Sequence, residues 1–402
     1  MPIRYMGTKR HIAHHVNRIV SELAPVGRVL DLFSGIGCVA ESLANVAPVA
    51  TNDALEFTAA FARARFTAQM RHMSAGAIIT MLRRPYRDAA EQALKRNRPR
   101  LRDEQRAVDL GPVALTEYMA RAEHVANSDR VARTAKFAST RTDDARYCLT
   151  ATYFSAGYFS LRQAIHIDAL RLAIDRANLH PEDRDWVMAA WLAAAAKVAN
   201  APGHTAQFLK PNNDGVYQRI RRSWSRNIWE TFQDRLIAIK PVGTRAWRVQ
   251  NQVAVGDALR LLHEKRVVGV GAVYADPPYT KDQYSRYYHV YETLYRYDFP
   301  SSSGAGRVPS SRFTSTFSLK TGIVEAFTDL MTSVSEMNLP LILSYPSDSL
   351  LSKIGSSIPE IADGLARIAS TESFDAEHST LGASNGSKHK NATENLYVIL
   401  PG

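Results

Sequence analysis

The chain has 402 residues, 45% hydrophobic and 22% charged, which is enough to bury the core of one large domain or of two smaller ones. It contains no run of about 18 apolar residues, no signal-peptide pattern at its first residues and only two cysteines, so we expect neither a membrane span nor a disulfide framework. Lys and Arg outnumber Asp and Glu by 50 to 39, and the net charge of +11 favours a polyanionic partner without identifying it.

The first block, residues 1–75, is predicted to alternate strand and helix. The short apolar strand GRVLDLF precedes the helix CVAESLANV, and a second strand, PVATND, ends in an acid. A strand, a helix and a strand at this spacing are typical of a βαβ unit.

The second block, residues 76–245, is predicted to be mostly helical. The segments DDARYCLTATYFSAGYFSLRQAIHIDALRLAIDRANL and PEDRDWVMAAWLAAAAKVAN have helical spacing and Ala-rich interiors. An Arg-rich stretch from Arg83 to Arg106 precedes them, and YQRIRRSWSRNIWETF, in which Arg and Trp are interleaved, follows. Both basic stretches fit contact with phosphates, and the alternative for each is an exposed, solvated Arg face.

Strands return in the third block, residues 246–402. GAVYAD and LPLILSYP are continuous apolar runs, which indicate strands buried on both faces of a parallel sheet. ENLYVIL is predicted to be a final strand, and SSSGAGRVPSSRFTSTFS a loop. Without an internal repeat, the simplest architecture is one α/β domain whose two halves flank a helical insertion.

The segment DLFSGIG follows a strand and opens a helix. Gly35 and Gly37 allow a tight turn and the close approach of a ligand, and Asp53 follows at the spacing of a carboxylate that binds a ribose. An adenosine-bearing cofactor suits this arrangement, and simple packing of the turn is the alternative. Ala40 stands where the dinucleotide fingerprint has a third glycine, so S-adenosylmethionine is favoured over NAD or FAD.

The tetrapeptide DPPY follows the strand GAVYA, at the edge where open α/β sheets bind ligands. Asp276 and the carbonyl of Pro277 are able to accept hydrogen bonds from an amino group, and the two prolines make the turn rigid. The ring of Tyr279 is suited to stacking on a planar base. The tetrapeptide therefore favours transfer of a methyl group to a planar amine; the alternative is a proline-rich turn.

These residues together resemble the Dam-like (alpha-group) DNA adenine-N6 methyltransferases. Three features carry the resemblance in the family's order: an aromatic-x-Gly-x-Lys segment in RYMGTKR, then DLFSGIG, then DPPY. Two segments of the helical block, GYFSLRQAIHIDALRLAI and VANAPGHTAQFLK, look like segments of restriction-type members. The resemblance implies a Rossmann-like S-adenosylmethionine-dependent sheet with a large, mostly helical inserted target-recognition domain.

The resemblance also implies roles for particular residues and blocks. Residues 1–75 would be the cofactor-binding half, 76–245 the target-recognition domain and 246–402 the catalytic half. The catalytic set would be Asp276, Pro277, Pro278 and Tyr279. The cofactor-binding set would be Tyr5, Lys9, Phe33, Gly35, Gly37, Asp53 (ribose), Asp257 (adenine) and Asp276. The segment SYPSD is expected to line the same cleft, and HSTLGASNGSKHKNATEN to close over the target base.

DNA contacts are expected from the insertion and from the late loop. The target base must leave the duplex to reach such a pocket. The predicted contacts are Arg219, Arg221, Arg222 and Arg226, interleaved with Trp224 and Trp229, and Lys388 and Lys390 in the loop. We expect no metal, because the chemistry needs none and His11, His14 and His15 lack other ligands nearby.

The expected function is site-specific methylation of adenine N6 in double-stranded DNA. Cytosine N4 and RNA adenine are alternative targets, and a non-catalytic module that binds S-adenosylmethionine or DNA is a further alternative. The intact DPPY argues against the non-catalytic module, and its Asp against the related glutamine methyltransferases. We expect a cytoplasmic, nucleoid-associated enzyme that either partners a restriction endonuclease or acts alone. The sequence predicts neither the recognition site nor the oligomeric state.

Overall fold

The computed structural model of the protein describes residues 3, 5, 9–44, 46–126, 129–379 and 389–402. It divides into two compact units. The sheet unit comprises residues 7–69, 241–285 and 313–402, and the helical unit comprises residues 1–6, 70–240 and 286–312. Helices and strands are numbered below along the whole chain.

Seven strands form the central sheet of the sheet unit. They are β1 (Arg28–Asp31), β2 (Val49–Asp53), β3 (Gln252–Val255), β4 (Val270–Ala275), β7 (Leu341–Pro346), β8 (Ala366–Ser379) and β9 (His389–Pro401). The strand order is β3–β2–β1–β4–β7–β9–β8, parallel from β3 to β7 and antiparallel on both sides of β9. The strand order reverses between β1 and β4, and the carboxyl ends of strands beside such a reversal are where open α/β sheets bind ligands.

Both faces of this sheet are covered by apolar side chains. Alternate residues of a strand face opposite sides, so Val273 and Ala275 of β4 join one core cluster while Ala272 and Tyr274 join the other. Strand β7 is buried along its whole length. The continuous apolar runs GAVYA and LPLIL therefore form strands because helices cover both sides of them.

The helices of the sheet unit flank this sheet. They are α1 (Ala13–Leu23), α2 (Cys38–Ser42), α3 (Glu56–Ala62), α13 (Arg245–Arg248), α14 (Ala258–His263), α17 (Ile323–Glu336) and α18 (Ile358–Ala362). Helix α3 continues into a π-helical turn, Arg63–Thr67. Val16 and Val20 of α1 pack in the cluster that contains Tyr274, and Phe327 and Leu330 of α17 pack in the other.

The helical unit is built mainly from ten helices. They are α4 (Ala75–Arg96), α5 (Arg98–Leu110), α6 (Pro112–Ala126), α7 (Asp129–Ser139), α8 (Leu149–Tyr153), α9 (Leu161–Arg176), α10 (Pro181–Val198), α11 (Asp214–Trp224), α12 (Ile228–Ala238) and α16 (His289–Arg296). The short helix α15 (Tyr284–Tyr287) contains the boundary between the units, and the two-residue strands β5 (Ser302–Ser303) and β6 (Val308–Pro309) pair in the helical unit. Helices α9 and α10 are buried on nearly every side. The Ala-rich interior of α10 fits such burial, and in α9 a buried polar residue such as Asp168 accepts hydrogen bonds from the amides of Thr150 and Ala151.

The structure confirms most of the predicted elements. The βαβ unit is present as β1, α2 and β2, GAVYA and ENLYVIL lie in strands, and the predicted strand LPLILSYP is present from Leu341 onward. The long helical stretch is broken between α8 and α9, where Ala156 has a φ of 60° and Ser160 caps a new helix. The loop SSSGAGRVPSSRFTSTFS contains the hairpin β5–β6.

The late loop HSTLGASNGSKHKNATEN is shorter in the structure than predicted. Strand β8, which the sequence did not predict, runs to Ser379, and β9 begins at His389, so both ends of the segment are strand. The long β8–β9 ladder extends into a stretch whose polar residues had indicated a loop. Residues 380–388 lie outside the described part of the chain.

Within the described ranges, we find no helix long and apolar enough to cross a bilayer.

Candidate active site

The glycine-rich turn joins β1 to α2 and is held by Asp53 at the end of β2. One carboxylate oxygen of Asp53, Oδ2, accepts a hydrogen bond from the amide of Gly35 at 3.0 Å, and the other accepts from Leu55 at 2.9 Å. Gly35 and Gly37 have positive φ angles of 51° and 76°. The predicted strand, turn and helix are thus present, and Asp53 links the turn to the neighbouring strand.

Gly37 is also required by packing inside the sheet unit. A Cβ atom at this position would lie 2.2 Å from the ring of Phe66, which is fully buried. The group that lies closest to the missing side chain of Gly37 is therefore an aromatic ring of the core. The approach of a ligand to this turn stays a prediction.

Three carboxylates gather at the carboxyl edge of the sheet. Asp31 ends β1, Asp53 ends β2 and Asp276 follows β4, and these three strands are neighbours. Burial, together with the charge of Asp276, raises the pKa of Asp31 to about 8. Burial also raises the pKa of Asp53 to about 6, although backbone amides lower it. Raised pKa values of this kind mean that the charged forms of these carboxylates are unfavourable here unless a positive charge lies beside them.

Lys9 lies between two buried carboxylates. Its Nζ atom is 3.2 Å from Oδ1 of Asp276 and 2.8 Å from Oε1 of Glu394, and only 4% of the Lys9 side chain is exposed. Burial alone would lower the pKa of Lys9, but the charges of Asp276 and Glu394 raise it above its ordinary value, so the ammonium group stays charged. The hydroxyl of Ser344, on β7, donates a hydrogen bond to the same Glu394 oxygen at 2.6 Å.

The charge of Asp276 is set by these neighbours. Burial raises its pKa to about 7, Lys9 opposes this rise, and the charge of Glu394 adds to it. The pKa of Asp276 therefore lies close to neutral pH. Lys9 pairs with its side chain, and the turn that follows β4 positions it.

The rest of the DPPY turn is fixed by backbone and ring contacts. The carbonyl of Tyr279 accepts a hydrogen bond from the amide of Leu350 at 2.8 Å, which ties the turn to the segment after β7. Lys9 Nζ lies 5.4 Å from the centroid of the Tyr279 ring. Burial raises the pKa of Tyr279, so the phenol stays neutral and offers an uncharged, half-buried ring. Pro277 is buried and Pro278 is half-buried.

Other predicted cofactor residues have structural contacts of their own. Phe33 packs edge-on against Phe317 with ring centroids 5.3 Å apart, and Asp257 caps α14 by accepting from the amide of Arg260 at 3.0 Å. Tyr5 belongs to the helical unit, where its ring stacks on Tyr288 at 4.4 Å. The structure thus brings Lys9, Asp276 and Tyr279 together, and the cofactor roles of Phe33, Asp257 and Tyr5 stay predictions.

Two residues of this cluster, Glu394 and Ser344, had been given no role of their own. Ser344 opens SYPSD, which was expected to line the cleft, and Glu394 lies in HSTLGASNGSKHKNATEN, which was expected to close over the target base. They are 50 positions apart and meet because β9 pairs with β7. The available signal was a Glu close to the apolar run LYVIL. The structure buries this Glu fully, and a buried carboxylate requires a cationic or hydrogen-bonding partner. Asp31 was part of the quoted motif but had been given no role.

The four predicted DNA-contacting arginines lie on α11 and just after it, and all four are exposed. Each has a local contact. Arg219 and Arg226 donate to the carbonyls of Ala201 and Lys197 at 3.0 and 2.8 Å, and Arg221 and Arg222 contact Gln218. Lys388 lies outside the described residues, as does the side chain of Lys390, whose backbone is in β9.

Three of these arginines line a cleft of about 860 Å³ within the helical unit. Its other lining residues include Arg162, Trp224, Trp229, Tyr86, His166 and Glu104. The rings of Tyr86 and Trp229 stack at 4.6 Å, and the hydroxyl of Tyr86 is 2.7 Å from Nδ1 of His166. Trp224 is 8% exposed, and its Nε1 has no hydrogen-bond acceptor among the described residues. The cleft therefore combines exposed cations, aromatic rings and a donor without an acceptor.

Comparison with known proteins identifies one family. Residues 211–340, which include DPPY, match the model of the D12 class N6 adenine-specific DNA methyltransferases. Modification methylase LlaI of Lactococcus lactis subsp. lactis is 21% identical over 354 residues, which cover 87% of this chain and 47% of that protein. Type II methyltransferase M.FokI of Planomicrobium okeanokoites is 26% identical over 199 residues, covering 48% of this chain and 27% of that protein.

The chain thus spans about half of the first relative's length and about a quarter of the second's. No solved structure matches it significantly. The family model nevertheless covers the strand and turn that carry Asp276 and Tyr279, and the two relatives are named as a modification methylase and a type II methyltransferase. These comparisons confirm the resemblance predicted from the motifs: the chain is similar to the D12 class N6 adenine-specific DNA methyltransferases.

Proposed function

We propose that the protein transfers a methyl group from S-adenosylmethionine to N6 of an adenine flipped out of double-stranded DNA. The observation that carries the proposal is the ion pair between the buried Lys9 and Asp276, the first residue of the DPPY turn after β4. The match of residues 211–340 to the D12 class supports adenine N6 as the acceptor.

The acidic edge of the sheet fits this cofactor. When bound, S-adenosylmethionine supplies an electrophilic methyl group on a positively charged sulfur, and its methionine part carries a further ammonium group. Asp31, Asp53 and Asp276 all have raised pKa values, so each gains from a nearby cation. Gly35, Gly37 and Phe33, with Lys9, Asp257 and Tyr5, complete the proposed cofactor set.

The DPPY turn would bind and orient the acceptor amine. The exocyclic nitrogen of adenine is a poor nucleophile because its lone pair is delocalised into the ring. Asp276 and the carbonyl of Pro277 accept hydrogen bonds from the amino group, which localises the lone pair, and Tyr279 stacks on the base. The amino nitrogen would receive the methyl group that the cofactor supplies, the cofactor would leave as a neutral thioether, and the proton lost by the amino group would pass to the carboxylate of Asp276 and on to solvent. Correct positioning supplies much of the rate.

We further propose that the helical unit contains the target-recognition domain. Arg221, Arg222 and Arg226 would contact phosphates or guanine edges along the cleft, with Arg219 beside them on α11. The Nε1–H of Trp224, which lacks an acceptor among the described residues, favours an acceptor-rich ligand such as nucleic acid. Lys388 and Lys390 stay candidate phosphate contacts of the late loop.

The names of the two relatives support a place in restriction and modification. We propose that the enzyme acts on DNA in a bacterial cytoplasm, at the nucleoid, and protects sites that a cognate endonuclease would cut. The corresponding assay tests whether plasmid DNA from cells that express the protein resists digestion by that endonuclease.

The first test is the modification of DNA in cells. The protein is expressed in a host that lacks adenine methylation, and plasmid DNA is sequenced by a long-read method that detects modified bases. We expect N6-methyladenine at one short motif, and Asp276→Ala should lower its formation by at least about 10²-fold. Asp329→Ala is the matched control, because Asp329 lies in the sheet unit and pairs with His263 on the surface.

The alternative outcomes are distinct. N4-methylcytosine would keep the catalytic assignment and change the substrate. Retained adenine methylation in Asp276→Ala, with an unchanged circular dichroism spectrum, would refute the role of Asp276.

A further inference from the structure

Two histidines and a glutamate lie together in the helical unit, and none of them belongs to the sites described above. His72 precedes α4, and His180 and Glu182 begin α10. One possible ligand atom from each of the three lies within 4.8 Å of the other two. The two imidazole rings are 3.6 Å apart between centroids and tilted by 36°.

Backbone contacts bring these side chains together. The amide of Met70 donates to Oε2 of Glu182 at 3.0 Å, and the amide of His72 donates to Oδ1 of Asp183 at 3.1 Å. The chain that enters α4 is therefore tied to the first turn of α10. Nδ1 of His180 accepts only a long hydrogen bond, 3.4 Å, from the amide of Glu182.

The charges around the cluster favour a cation. Asp183 is fully buried, and its Oδ2 has no hydrogen-bond partner among the described residues. A buried carboxylate oxygen without a partner is unfavourable unless a positive charge lies nearby. Asp183 also accepts the amide hydrogen of His72, so this carboxylate lies beside the segment that carries one of the histidines.

We propose that His72, His180 and Glu182 bind one divalent transition-metal ion of the zinc class. Two imidazoles and one carboxylate, with water in the fourth position, are a ligand set that zinc accepts, whereas magnesium and calcium prefer oxygen ligands alone. Tetrahedral ligands about 2.0–2.1 Å from zinc lie about 3.3 Å from one another. The two histidines are exposed, so their side chains have room to rotate toward a shared ion, and the metal would replace the long hydrogen bond at His180.

The consequence of such a site is structural. His72 and His180 are 108 positions apart, and a shared metal would fasten the entry of α4 to the start of α10. Because the ligands are absent from the proposed catalytic and cofactor sets, the metal should raise thermal stability and leave the methylation chemistry unchanged.

The test is a zinc titration of the full-length protein after treatment with a chelator. Isothermal titration calorimetry should give one zinc per chain, and scanning calorimetry should show that zinc raises Tm. His72→Ala and His180→Ala should each weaken zinc binding by more than about 10–100-fold, the loss that removing an outer partner of a metal ligand causes. His263→Ala is the matched control, because His263 is exposed and pairs with a single carboxylate, Asp329.

Cobalt gives a second measurement that does not depend on the variants. Bound at this site of the wild-type protein, Co²⁺ should give the visible absorption of a four-coordinate ion. Wild-type protein that shows no such spectrum, or that binds zinc no better than the folded His72→Ala and His180→Ala variants, would overturn the proposal. His72→Gln replaces His72→Ala if circular dichroism shows that the alanine variant does not fold.

Discussion

Lys9 supplies one positive charge to a group of carboxylates that carries more than one negative charge. It contacts Asp276 and Glu394 directly, and the charge of Asp276 also acts on Asp31. Burial, which Lys9 opposes and to which the charge of Glu394 adds, explains why the pKa of Asp276 is about 7. If Asp276 accepts hydrogen bonds from the target amine, its carboxylate must be deprotonated, so Glu394 influences the pH range in which the enzyme works.

The first prediction at this scale concerns Glu394→Gln. The variant keeps an oxygen for Ser344 and Lys9 but removes a negative charge that raises the pKa of Asp276. The pKa of Asp276 should therefore fall by about one unit, and more of the group should be deprotonated at acidic pH. We expect the acidic limb of the profile of methylation rate against pH to move to lower pH.

The control for this prediction is Glu372→Gln. Glu372 is a partly exposed carboxylate of β8 that pairs with Arg18 and does not contact Lys9. Its variant should leave the acidic limb in place. An unchanged limb in Glu394→Gln would show that Glu394 does not set the charge of Asp276.

At the scale of elements, short-range patterns predicted the edge of the sheet well. GAVYA and LPLIL are short apolar runs, and GRVLDLF is a short, largely apolar one; such runs followed by turn residues are typical of strands covered on both faces. The positions of Gly35, Asp53 and Asp276 follow from this, because neighbouring parallel strands end at one edge. The family match, which begins at residue 211 and ends at residue 340, covers only part of that edge.

Short-range sequence patterns could not predict contacts between segments that are distant in the chain. Strand β8 alternates too many polar residues to be recognised without its partner β9, against which it is paired along its length. Glu394 and Lys9 are 385 positions apart, and no local pattern predicts their contact. His72 and His180 likewise come together through tertiary structure, which is why sequence spacing predicted no metal ligands.

The turn between β1 and α2 allows a prediction with a close internal control. Gly37 and Gly355 have similar φ angles, 76° and 80°, so alanine is strained equally at both. At Gly37 the new Cβ would also lie 2.2 Å from Phe66, whereas at Gly355 nothing lies within 4 Å. We expect Gly37→Ala to lower the free energy of unfolding by about 2–5 kcal/mol and Gly355→Ala by about 1–2 kcal/mol.

Urea denaturation followed by circular dichroism measures this difference. Equal losses in the two variants would mean that Phe66 moves aside, and that strain at positive φ is the whole cost. A larger loss at Gly37 would show that the turn is fixed by the core beneath it, independently of any ligand.

At the scale of the whole molecule, the excess of basic residues has a function only if they meet a polyanion. The chain carries 50 basic and 39 acidic residues. Many of the exposed arginines are already in local ion pairs, such as Arg84 with Asp88 on α4 and Arg260 with Glu264 on α14. The arginines of the cleft differ from these, because the hydrogen bonds of Arg221, Arg222 and Arg226 described above run to uncharged oxygens, which do not neutralise the positive charge.

DNA binding should therefore depend on salt through the cleft arginines. Each phosphate neutralised by the protein contributes about −0.9 to the slope of log K against log salt concentration. We expect Arg221→Ala combined with Arg222→Ala to reduce the magnitude of this slope by about 1–2 in fluorescence anisotropy titrations with a DNA duplex. Arg260→Ala, which removes an exposed arginine of the sheet unit, should leave the slope as it is. Affinity that is flat across salt concentrations, or a slope that both variants change equally, would mean that the helical unit does not supply the DNA contacts and that the recognition domain must be sought elsewhere in the chain.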